Sequence, residues 1–383
     1  MYSLPDYGKM LADKTRVDAY GMALKQAVTH DSVVLEIGSG TGAFAMEACR
    51  LGARKVYAVE TNEVIQHAIH FAKENECADR IQFIHNDSTR VELPEQVDVI
   101  ISDLRGKLPL HGHHLPVIID ARSRFLSAAG ILIPRKDILW AALSSAPDLY
   151  KENLEVWDPY HAGLNTACLE TSITNQIWWK AAKKNERFIT EPATWLIIDY
   201  HTIASPNVAG KVSWQIQASN IAHGARVWFD AVLIDDIGFS NHPDQPEHIY
   251  GNVFFPWKQP VALEAGDVVH MAFQANLVAD DYIWRWTSKV FEKGNTGKLK
   301  VNFEQSTFFA SPASSEILRK RSADYTPVLY QDGQVDLEIL KMMSEGSSLK
   351  EIACHIVEHF PQYFANINQA LAHVGELSVK YSK

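Results

Sequence analysis

Cysteine is scarce in this chain of 383 residues, which contains four, at positions 49, 77, 168 and 354. No two of them form a Cys-x-x-Cys pair, so the sequence offers neither the ligand spacing of a structural zinc site nor a disulfide framework. Apolar runs are also short, and none reaches the ~20 residues that cross a bilayer. The first ten residues, MYSLPDYGKM, lack the basic and then apolar regions of a signal peptide. We therefore expect a cytoplasmic protein with no membrane contact.

Long runs of one charge are absent as well, although the formal net charge is -10. An acidic chain without a basic cluster is poorly suited to binding phosphates, so no nucleic-acid partner is expected. Hydrophobic residues make up 46% of the chain and there are ten tryptophans, which is enough for extensive folded cores. A chain of this length exceeds what one core serves, so two or three domains are expected.

Hydrophobic patterning divides the chain into three predicted domains. In residues 1–145, predicted strands alternate with amphipathic helices, which is typical of a parallel sheet with helices on both faces. In residues 146–310, short runs rich in Val, Ile, Trp and Phe are separated by Gly, Pro, Asn and Asp, which predicts an antiparallel β-barrel or sandwich. Residues 311–383 turn helical. The predicted fold is a Rossmann-like doubly wound α/β domain, then a β-barrel domain, then a small helical domain.

The predicted elements have approximate bounds. The strands of the first domain are expected at residues 33–37, 56–59, 81–85, 97–102 and 130–134, with helices at 43–51 and 63–75. In the last domain, helices are expected at 335–343, 349–359 and 362–373, and Ser348 with Glu351 matches a capping box for the middle one. This last domain also resembles winged-helix or small peptide-binding modules, and a plain stabilising appendage is the alternative.

The strongest motif is VVLEIGSGTGA at residues 33–43, a buried strand that leads into glycines and then a helix. Glycines let a ligand approach the backbone, and the helix N-terminus offers free N–H groups. The glycines alone are ambiguous, because Gly38, Gly40 and Ala43 also satisfy the dinucleotide fingerprint G-x-G-x-x-A. A nicotinamide-dependent dehydrogenase is therefore one alternative.

Acidic residues at the strand ends favour S-adenosylmethionine over a dinucleotide. Glu36 stands two places before the first glycine, where a carboxylate suits a cationic sulfonium and repels a pyrophosphate. Glu60 ends the second strand and can accept both ribose hydroxyls, which fits either cofactor. Asp87 and Ser88 follow the third strand, where an adenine amino group could bind. The predicted cofactor site is Glu36, Gly38, Ser39, Gly40, Gly42, Glu60, Asp87 and Ser88.

Three segments, LEIGSGTG, GARKVYAVE and ELPEQVDVIISD, resemble the protein arginine methyltransferases. The segment MLADKTRVDAY at residues 10–20 resembles that family's helix ahead of the first strand. The resemblance is good over residues 5–145, looser to about 310, and does not include the last domain. It implies S-adenosylmethionine as cofactor, with Arg16 paired to its methionine carboxylate and Met10 beside its sulfur. A guanidinium suits a carboxylate fork.

The sequence departs from this family at the acceptor site. In SDLRGKLPLHGHH, residues 102–114, the first of the family's two loop glutamates corresponds to Asp103 and the second to Gly112. The family's Thr-His-Trp loop appears as Phe255-Pro256-Trp257, without the histidine. A missing charge-assisted contact costs about 2–3 kcal/mol, so the site is less suited to arginine.

Histidines in the same loop offer another chemistry. Asp103, His111 and His113 are predicted to be catalytic, because an Asp–His arrangement can deprotonate an attacking nitrogen or oxygen near neutral pH. His114 and Trp257 are predicted to line the substrate pocket. The three histidines could instead be solvated or hold a metal, but no further ligand cluster accompanies them, and no metal is predicted.

The sequence thus predicts a methyltransferase that uses S-adenosylmethionine and acts on a nitrogen or oxygen nucleophile of a peptide, protein or small metabolite. Two alternatives stay open besides the dehydrogenase: a catalytically inactive cofactor-binding interaction protein, and a genuine protein arginine N-methyltransferase. By resemblance, residues 160–185 form a protruding dimerisation arm that carries Trp178 and Trp179. A homodimer is therefore expected.

Overall fold

The computed structural model describes residues 2–157, 165–180, 182, 185–246, 248–293, 298–312 and 314–382. The chain forms two compact units, Met1–Pro312 and Ala313–Lys383. The division into three domains at residues 145 and 310 stays a prediction. Within the described residues, every helix is too short or too polar to cross a bilayer.

A parallel five-stranded sheet with flanking helices forms the amino-terminal part of the first unit. Its elements are α1 (Leu4–Ala12), α2 (Lys14–Ala27), β1 (Val33–Ile37), α3 (Ala43–Arg50), β2 (Lys55–Glu60), α4 (Ile65–Glu74), β3 (Ile81–His85), β4 (Val97–Ser102), α5 (His114–Arg124) and β5 (Leu126–Ile133). The strand order is β3-β2-β1-β4-β5, and all neighbours are parallel. The order reverses between β1 and β4, where ligands of such sheets bind beyond the carboxyl ends of the strands.

The predicted doubly wound sheet is confirmed. All five residues of β1 are buried, because helices cover both faces of the sheet, and the strand therefore reads as a continuous apolar run. The fifth strand begins at Leu126, four residues earlier than predicted, because Leu126 pairs with Val97 and an irregularity then shifts the register before Val99 pairs with Ile131. Alternation of apolar and polar residues is weak in this stretch, which hid its start.

Antiparallel sheets form the rest of the first unit, as predicted. Their strands are β6 (Lys136–Ser145), β7 (Arg187–Phe188), β8 (Ala193–Asp199), β9 (Val208–Gln215), β10 (Asn220–Ile234), β11 (Ile237–Ser240), β12 (Val253–Leu263), β13 (Val268–Val278), β14 (Asp281–Phe291) and β15 (Leu299–Ser306). Helices α6 (Pro147–Leu154) and α7 (Ala167–Thr174) precede β7. One six-stranded sheet centres on β6 and β10, and one four-stranded sheet has the order β15-β14-β13-β9.

Helix α2 joins the parallel sheet to the antiparallel part. The ring of Tyr20 is fully buried and stacks on Phe44 of α3 at 4.8 Å between centroids. The same ring lies 6.3 Å from Phe239 of β11. One face of α2 is therefore sandwiched between the two parts, which places its first turn at the edge of the parallel sheet.

The second unit is helical in all its described elements, α8 (Ser315–Lys320), α9 (Gln331–Ser344), α10 (Leu349–His359) and α11 (Ile367–Tyr381). The predicted capping box at Ser348 and Glu351 is present. The third predicted helix starts later than expected, because the Asn366 side chain accepts hydrogen bonds from the next turn and caps it there. No strand occurs among residues 314–382, so these residues contain no β-wing.

We expect Ile339→Ala to destabilise the second unit by about 2–5 kcal/mol, because the deleted side chain leaves a cavity in a small core. Ile339 is fully buried in α9, and Leu337, two residues earlier, is 43% exposed. Calorimetry of the full chain would show the transition of this unit at lower temperature for Ile339→Ala and little change for Leu337→Ala. Equal effects of the two substitutions would contradict the packing described here.

Candidate cofactor and acceptor site

A cleft of about 1390 Å³ lies where the carboxyl edge of the parallel sheet faces strands of the antiparallel part. Of the predicted cofactor-binding residues, those that line this cleft are Met10, Arg16, Glu36, Gly38, Ser39, Gly40, Glu60, Asp87 and Ser88. Asp103 and the three loop histidines also line it. The topology therefore brings together in one cavity nearly every site residue that the sequence predicts.

The loop between β1 and α3 has the tight backbone that its glycines predict. Gly38, Gly40 and Gly42 all have positive φ, at 72°, 52° and 77°. A Cβ on Gly40 would lie 2.9 Å from the ring of Tyr7 in α1, so the helix closes over the loop as only glycine permits. Gly42 does not line the cleft; it is the N-cap of α3 and faces Phe83 behind the loop.

Two buried carboxylates hold this loop in shape. Glu36 accepts a hydrogen bond from the N–H of Ala45 at 2.8 Å, and Glu60 accepts one from the N–H of Gly40 at 2.8 Å. Burial raises the pKa of Glu36 to about 8, and the nearby Glu60 adds to the shift. A cationic ligand would favour the charged form of Glu36.

The unpaired hydroxyl of Ser39 indicates that this loop binds a ligand. Its hydroxyl oxygen is buried and has no hydrogen-bond partner among the described residues. Buried polar atoms are nearly always paired, so an unpaired hydroxyl at a glycine turn indicates a missing partner. The polar groups around it, two carboxylates and free loop backbone, fit the nucleoside and amino-acid parts of S-adenosylmethionine.

On the other side of the loop, α2 contributes Arg16. Its Nη1 donates to the carbonyl of Met10 at 3.0 Å, so the two residues that the resemblance assigns to the methionine end of the cofactor are in contact. Its Nε donates to Asp103 at 2.5 Å and to the hydroxyl of Tyr250 at 3.0 Å. Arg16 thus stands between the cofactor loop and the acceptor side of the cleft.

Asp103 follows β4, and its carboxylate is bonded through both oxygens. Oδ2 accepts from Arg16 and from Tyr250, each at 2.5 Å, and Oδ1 accepts from Arg105 at 3.2 Å. Burial opposes ionisation, but the two guanidinium groups lower the pKa of Asp103 below its usual value. The group is therefore a stable anion, better suited to orienting a substrate than to taking a proton.

The three loop histidines have three different environments. His111 is exposed, while Nε2 of His113 lies 3.0 Å from the carboxylate of Asp280. His114 is buried, with Nε2 at 2.8 Å from the hydroxyl of Tyr200, and burial lowers its pKa to about 3. None of the three bonds to Asp103 in the described contacts, so the Asp–His pair that the sequence predicted is not formed.

Trp257, predicted to line the pocket, lies elsewhere. It is fully buried in β12 among the antiparallel strands and does not contribute to the cleft. The hydrophobic pattern of β12 could not distinguish a core tryptophan from a pocket wall.

The dimerisation arm predicted at residues 160–185 falls partly outside the described residues. Trp178 is buried there, and Trp179 lines the cleft with 45% exposure.

Sequence reasoning missed two residues that shape the acceptor side, Tyr250 and Arg105. Tyr250 is 147 positions from Asp103, and only the packing of the two parts brings them together. Arg105 is close in sequence, and a buried arginine directly after a strand end was the available signal. In the described part of the chain, the cleft included, no cluster of three or more His, Cys, Asp or Glu side chains is arranged to hold a metal ion.

Comparison with known proteins identifies two matching family models. Residues 21–108 match ribosomal protein L11 methyltransferase (PrmA), and residues 136–289 match the arginine methyltransferase oligomerization subdomain. Protein arginine N-methyltransferase 6 of Danio rerio is 30% identical over 233 residues, covering 58% of this chain and 66% of the relative. Protein arginine N-methyltransferase 1 of Schizosaccharomyces pombe is 29% identical over 275 residues, covering 68% of this chain and 78% of the relative.

Over most of its first unit, the chain is similar to the protein arginine methyltransferases. It spans just under two thirds of the Danio rerio relative and 62% of protein arginine N-methyltransferase 2 of Mus musculus. The predicted family resemblance is confirmed, and these similarities support methyl transfer from S-adenosylmethionine as the activity to be proposed. The dehydrogenase alternative is not supported.

Solved structures confirm the predicted fold. Arabidopsis thaliana protein arginine methyltransferase 10 superposes with a TM-score of 0.69 at 22% identity, covering 79% of this chain and 97% of that one. The Trypanosoma brucei PRMT1 enzyme-prozyme heterotetrameric complex with AdoHcy gives a TM-score of 0.70 at 21% identity, covering 78% and 96%. At these identities the likeness establishes the architecture alone.

We expect Gly40→Ala to weaken S-adenosylhomocysteine binding at least tenfold, because a Cβ at φ 52° would also push Tyr7 off the loop. Gly112→Ala is the matched control, since Gly112 also has positive φ, 47°, but a Cβ added there would meet no atom within 4 Å. Titration calorimetry measures both affinities. Comparable losses in the two variants would contradict the arrangement of Tyr7 over the loop.

In the absence of cofactor, Glu36→Gln should raise the stability of the protein over that of the wild type more at pH 8 than at pH 5. A carboxyl with a folded pKa of about 8 binds a proton that the unfolded chain has released, so the stability of the wild type falls as pH rises from 4.5 to 8. Glutamine does not titrate, so the variant does not lose stability in this way. It also lacks the negative charge that would attract a cationic cofactor. Thermal melts at the two pH values, with and without S-adenosylmethionine, test both effects; a melting gain that is the same at both pH values would contradict the assignment.

Proposed function

We propose that the protein transfers a methyl group from S-adenosylmethionine to a guanidinium nitrogen of arginine in a protein substrate. The observation that carries this proposal is the placement of Asp103, after β4, in the same cleft as the glycine loop after β1. A carboxylate on the strand next to the cofactor loop can hold a cationic acceptor beside a sulfonium methyl. The arginine acceptor also agrees with the names of the relatives, which are arginine methyltransferases.

Within this proposal, the chain's own residues hold the cofactor by its polar ends. Arg16 binds the amino-acid carboxylate, Glu60 accepts from the ribose hydroxyls, and Ser39 hydrogen-bonds through its unpaired hydroxyl. Glu36 supplies a negative charge near the cationic end, and Met10 lies beside the sulfur. The bound cofactor supplies an electrophilic methyl group on a positively charged sulfur.

Transfer itself requires positioning and the loss of one proton. Asp103 orients the acceptor guanidinium, the nitrogen forms a bond to the methyl carbon, and the carbon–sulfur bond breaks to leave S-adenosylhomocysteine. The product nitrogen then loses a proton. His111 and His113, both exposed at the rim of the cleft, are the proposed acceptors of that proton. His114 is excluded from this role by its low basicity, since its pKa is about 3.

Partners and location follow the same proposal. We expect a protein substrate and a homodimer, because the matched region includes the arginine methyltransferase oligomerization subdomain. The cytoplasmic location stays a prediction.

A second candidate is a cofactor-binding protein that does not transfer methyl groups. The observation that favours it is that both oxygens of Asp103 are already bonded within the protein, while Gly112 stands where a second acid would help to hold a guanidinium. One structural neighbour is itself an enzyme-prozyme complex. Calorimetric binding of S-adenosylhomocysteine without any label transfer would establish this alternative.

Asp103→Asn should lower kcat/KM for an arginine-rich protein substrate about 100-fold, because it replaces one carboxylate oxygen with an amide NH2, which cannot accept a hydrogen bond from the acceptor nitrogen and orient it. Label transfer from tritiated S-adenosylmethionine measures the rate, and mass spectrometry locates the methyl group on arginine. Asp281→Asn is the control, since Asp281 is an exposed carboxylate at the rim of the same cleft. Methyl groups found only on other side chains, or equal rates for wild type and Asp103→Asn, would refute the proposal.

A further inference from the structure

The guanidinium of Arg105 is a fully buried charge at the wall of the cleft. Its side chain is 0% exposed, and its Nε donates to Asp137 at 3.0 Å. Its Nη1 donates to the hydroxyl of Tyr20 at 3.1 Å and to Asp103 at 3.2 Å. Its Nη2 is buried without a partner in the described residues.

Aromatic rings surround the same guanidinium. The Arg105 Cζ lies 5.6 Å from the ring centroids of Phe229 and Phe239 and 5.9 Å from that of Tyr250. Two carboxylates, a tyrosine hydroxyl and three rings form the environment in which a protein would bind an arginine ligand. In this protein its own side chain occupies that environment.

Charges in this buried cluster already balance. Arg16 and Arg105 are positive, and Asp103 and Asp137 are negative, with each ion pair at least nine-tenths buried. A cationic acceptor at Asp103 would add an uncompensated positive charge next to two guanidinium groups. Unpaired charge in a desolvated site is costly, and like charges at close range repel.

We propose that Arg105 is a specificity-determining residue, an internal guanidinium that occupies one oxygen of Asp103 and opposes binding of a cationic acceptor. The inference rests on the proposed function, since it concerns the acceptor side of that same cleft. Its consequence is that the cleft gains little from the positive charge of arginine. A neutral side chain of the same shape is bound about as well.

Citrulline tests this on the wild-type protein, because its urea group has the shape of arginine without the charge. A glycine-rich peptide with one arginine and its citrulline counterpart are titrated into the protein saturated with S-adenosylhomocysteine. We expect dissociation constants within about threefold of each other. A preference for arginine of tenfold or more would overturn the proposal.

A charge-balanced variant tests the cause. Arg105→Met with Asp137→Asn removes one cation and one anion together, so Asp103 regains a free oxygen without leaving Asp137 unpaired. The arginine peptide should then bind at least tenfold tighter, and the citrulline peptide should gain less, because its uncharged N–H groups bond the freed carboxylate oxygen more weakly than a guanidinium does. Arg226→Met with Glu186→Gln is the matched control, because this other buried pair, with side chains 0% and 2% exposed, does not line the cleft.

Failure of this inference is distinguishable from failure of the proposed function. If wild type binds neither peptide but the Arg105 variant binds the arginine peptide, the inference is supported. If S-adenosylhomocysteine binds to both proteins and neither peptide binds to either, Arg105 is not what limits acceptor binding, and the inference is wrong. Should the double variant not bind S-adenosylhomocysteine, the wild-type comparison with citrulline decides alone. Loss of methyl transfer to arginine bears on the proposed function and leaves the binding comparison unaffected.

Discussion

The ion pair between Arg16 and Asp103 connects the parts on which this site depends. Arg16 comes from α2, Asp103 from the loop after β4, and Tyr250, which bonds to both, from the segment before β12. The two charged side chains are 8% and 7% exposed. A buried pair of this kind adds little net stability but is costly to break, so it fixes the relative placement of the three segments more than it stabilises the fold.

From Asp103 the polar contacts continue inward as a chain. Arg105 bridges Asp103 and Asp137, the hydroxyl of Tyr200 donates to Asp137, and Nε2 of His114 lies at 2.8 Å from the same hydroxyl. Because Tyr200 has one proton and Asp137 accepts it, the imidazole donates to the tyrosine oxygen through Nε2. Nδ1 of His114 is then an unprotonated acceptor, and it has no partner among the described residues. This series of hydrogen bonds thus orders the wall of the cleft without placing a strong base in it.

The cofactor half of the site could be predicted from sequence because its parts are local. The glycines, Glu36 and Glu60 stand at fixed offsets from apolar strands, and parallel strands bring their carboxyl ends to one edge. The parallel sheet and the antiparallel strands followed from periodicity in the same way. The start of β5 did not, because a register irregularity interrupts its pattern. The last helix was misplaced because Asn366 caps it five residues after Pro361.

The acceptor half could not be predicted, because contacts between distant segments decide it. Asp103, His111, His113 and His114 look like one polar loop in sequence, yet the fold separates them into an ion-paired anion, two rim histidines and one buried neutral imidazole. Arg16 is 87 positions from the carboxylate that it bonds.

The short side chain of Asp103 helps to explain why it pairs with arginines and not with the loop histidines. An aspartate keeps its carboxylate one methylene closer to the backbone than a glutamate does. From position 103 it therefore stays at the wall of the cleft, within reach of the arginine two residues on. Arg105 bonds it at 3.2 Å while its Nε is held by Asp137, so both anions share one buried cation. The short acid and the internal arginine are parts of one arrangement, and a substitution at either position changes the charge that an acceptor meets.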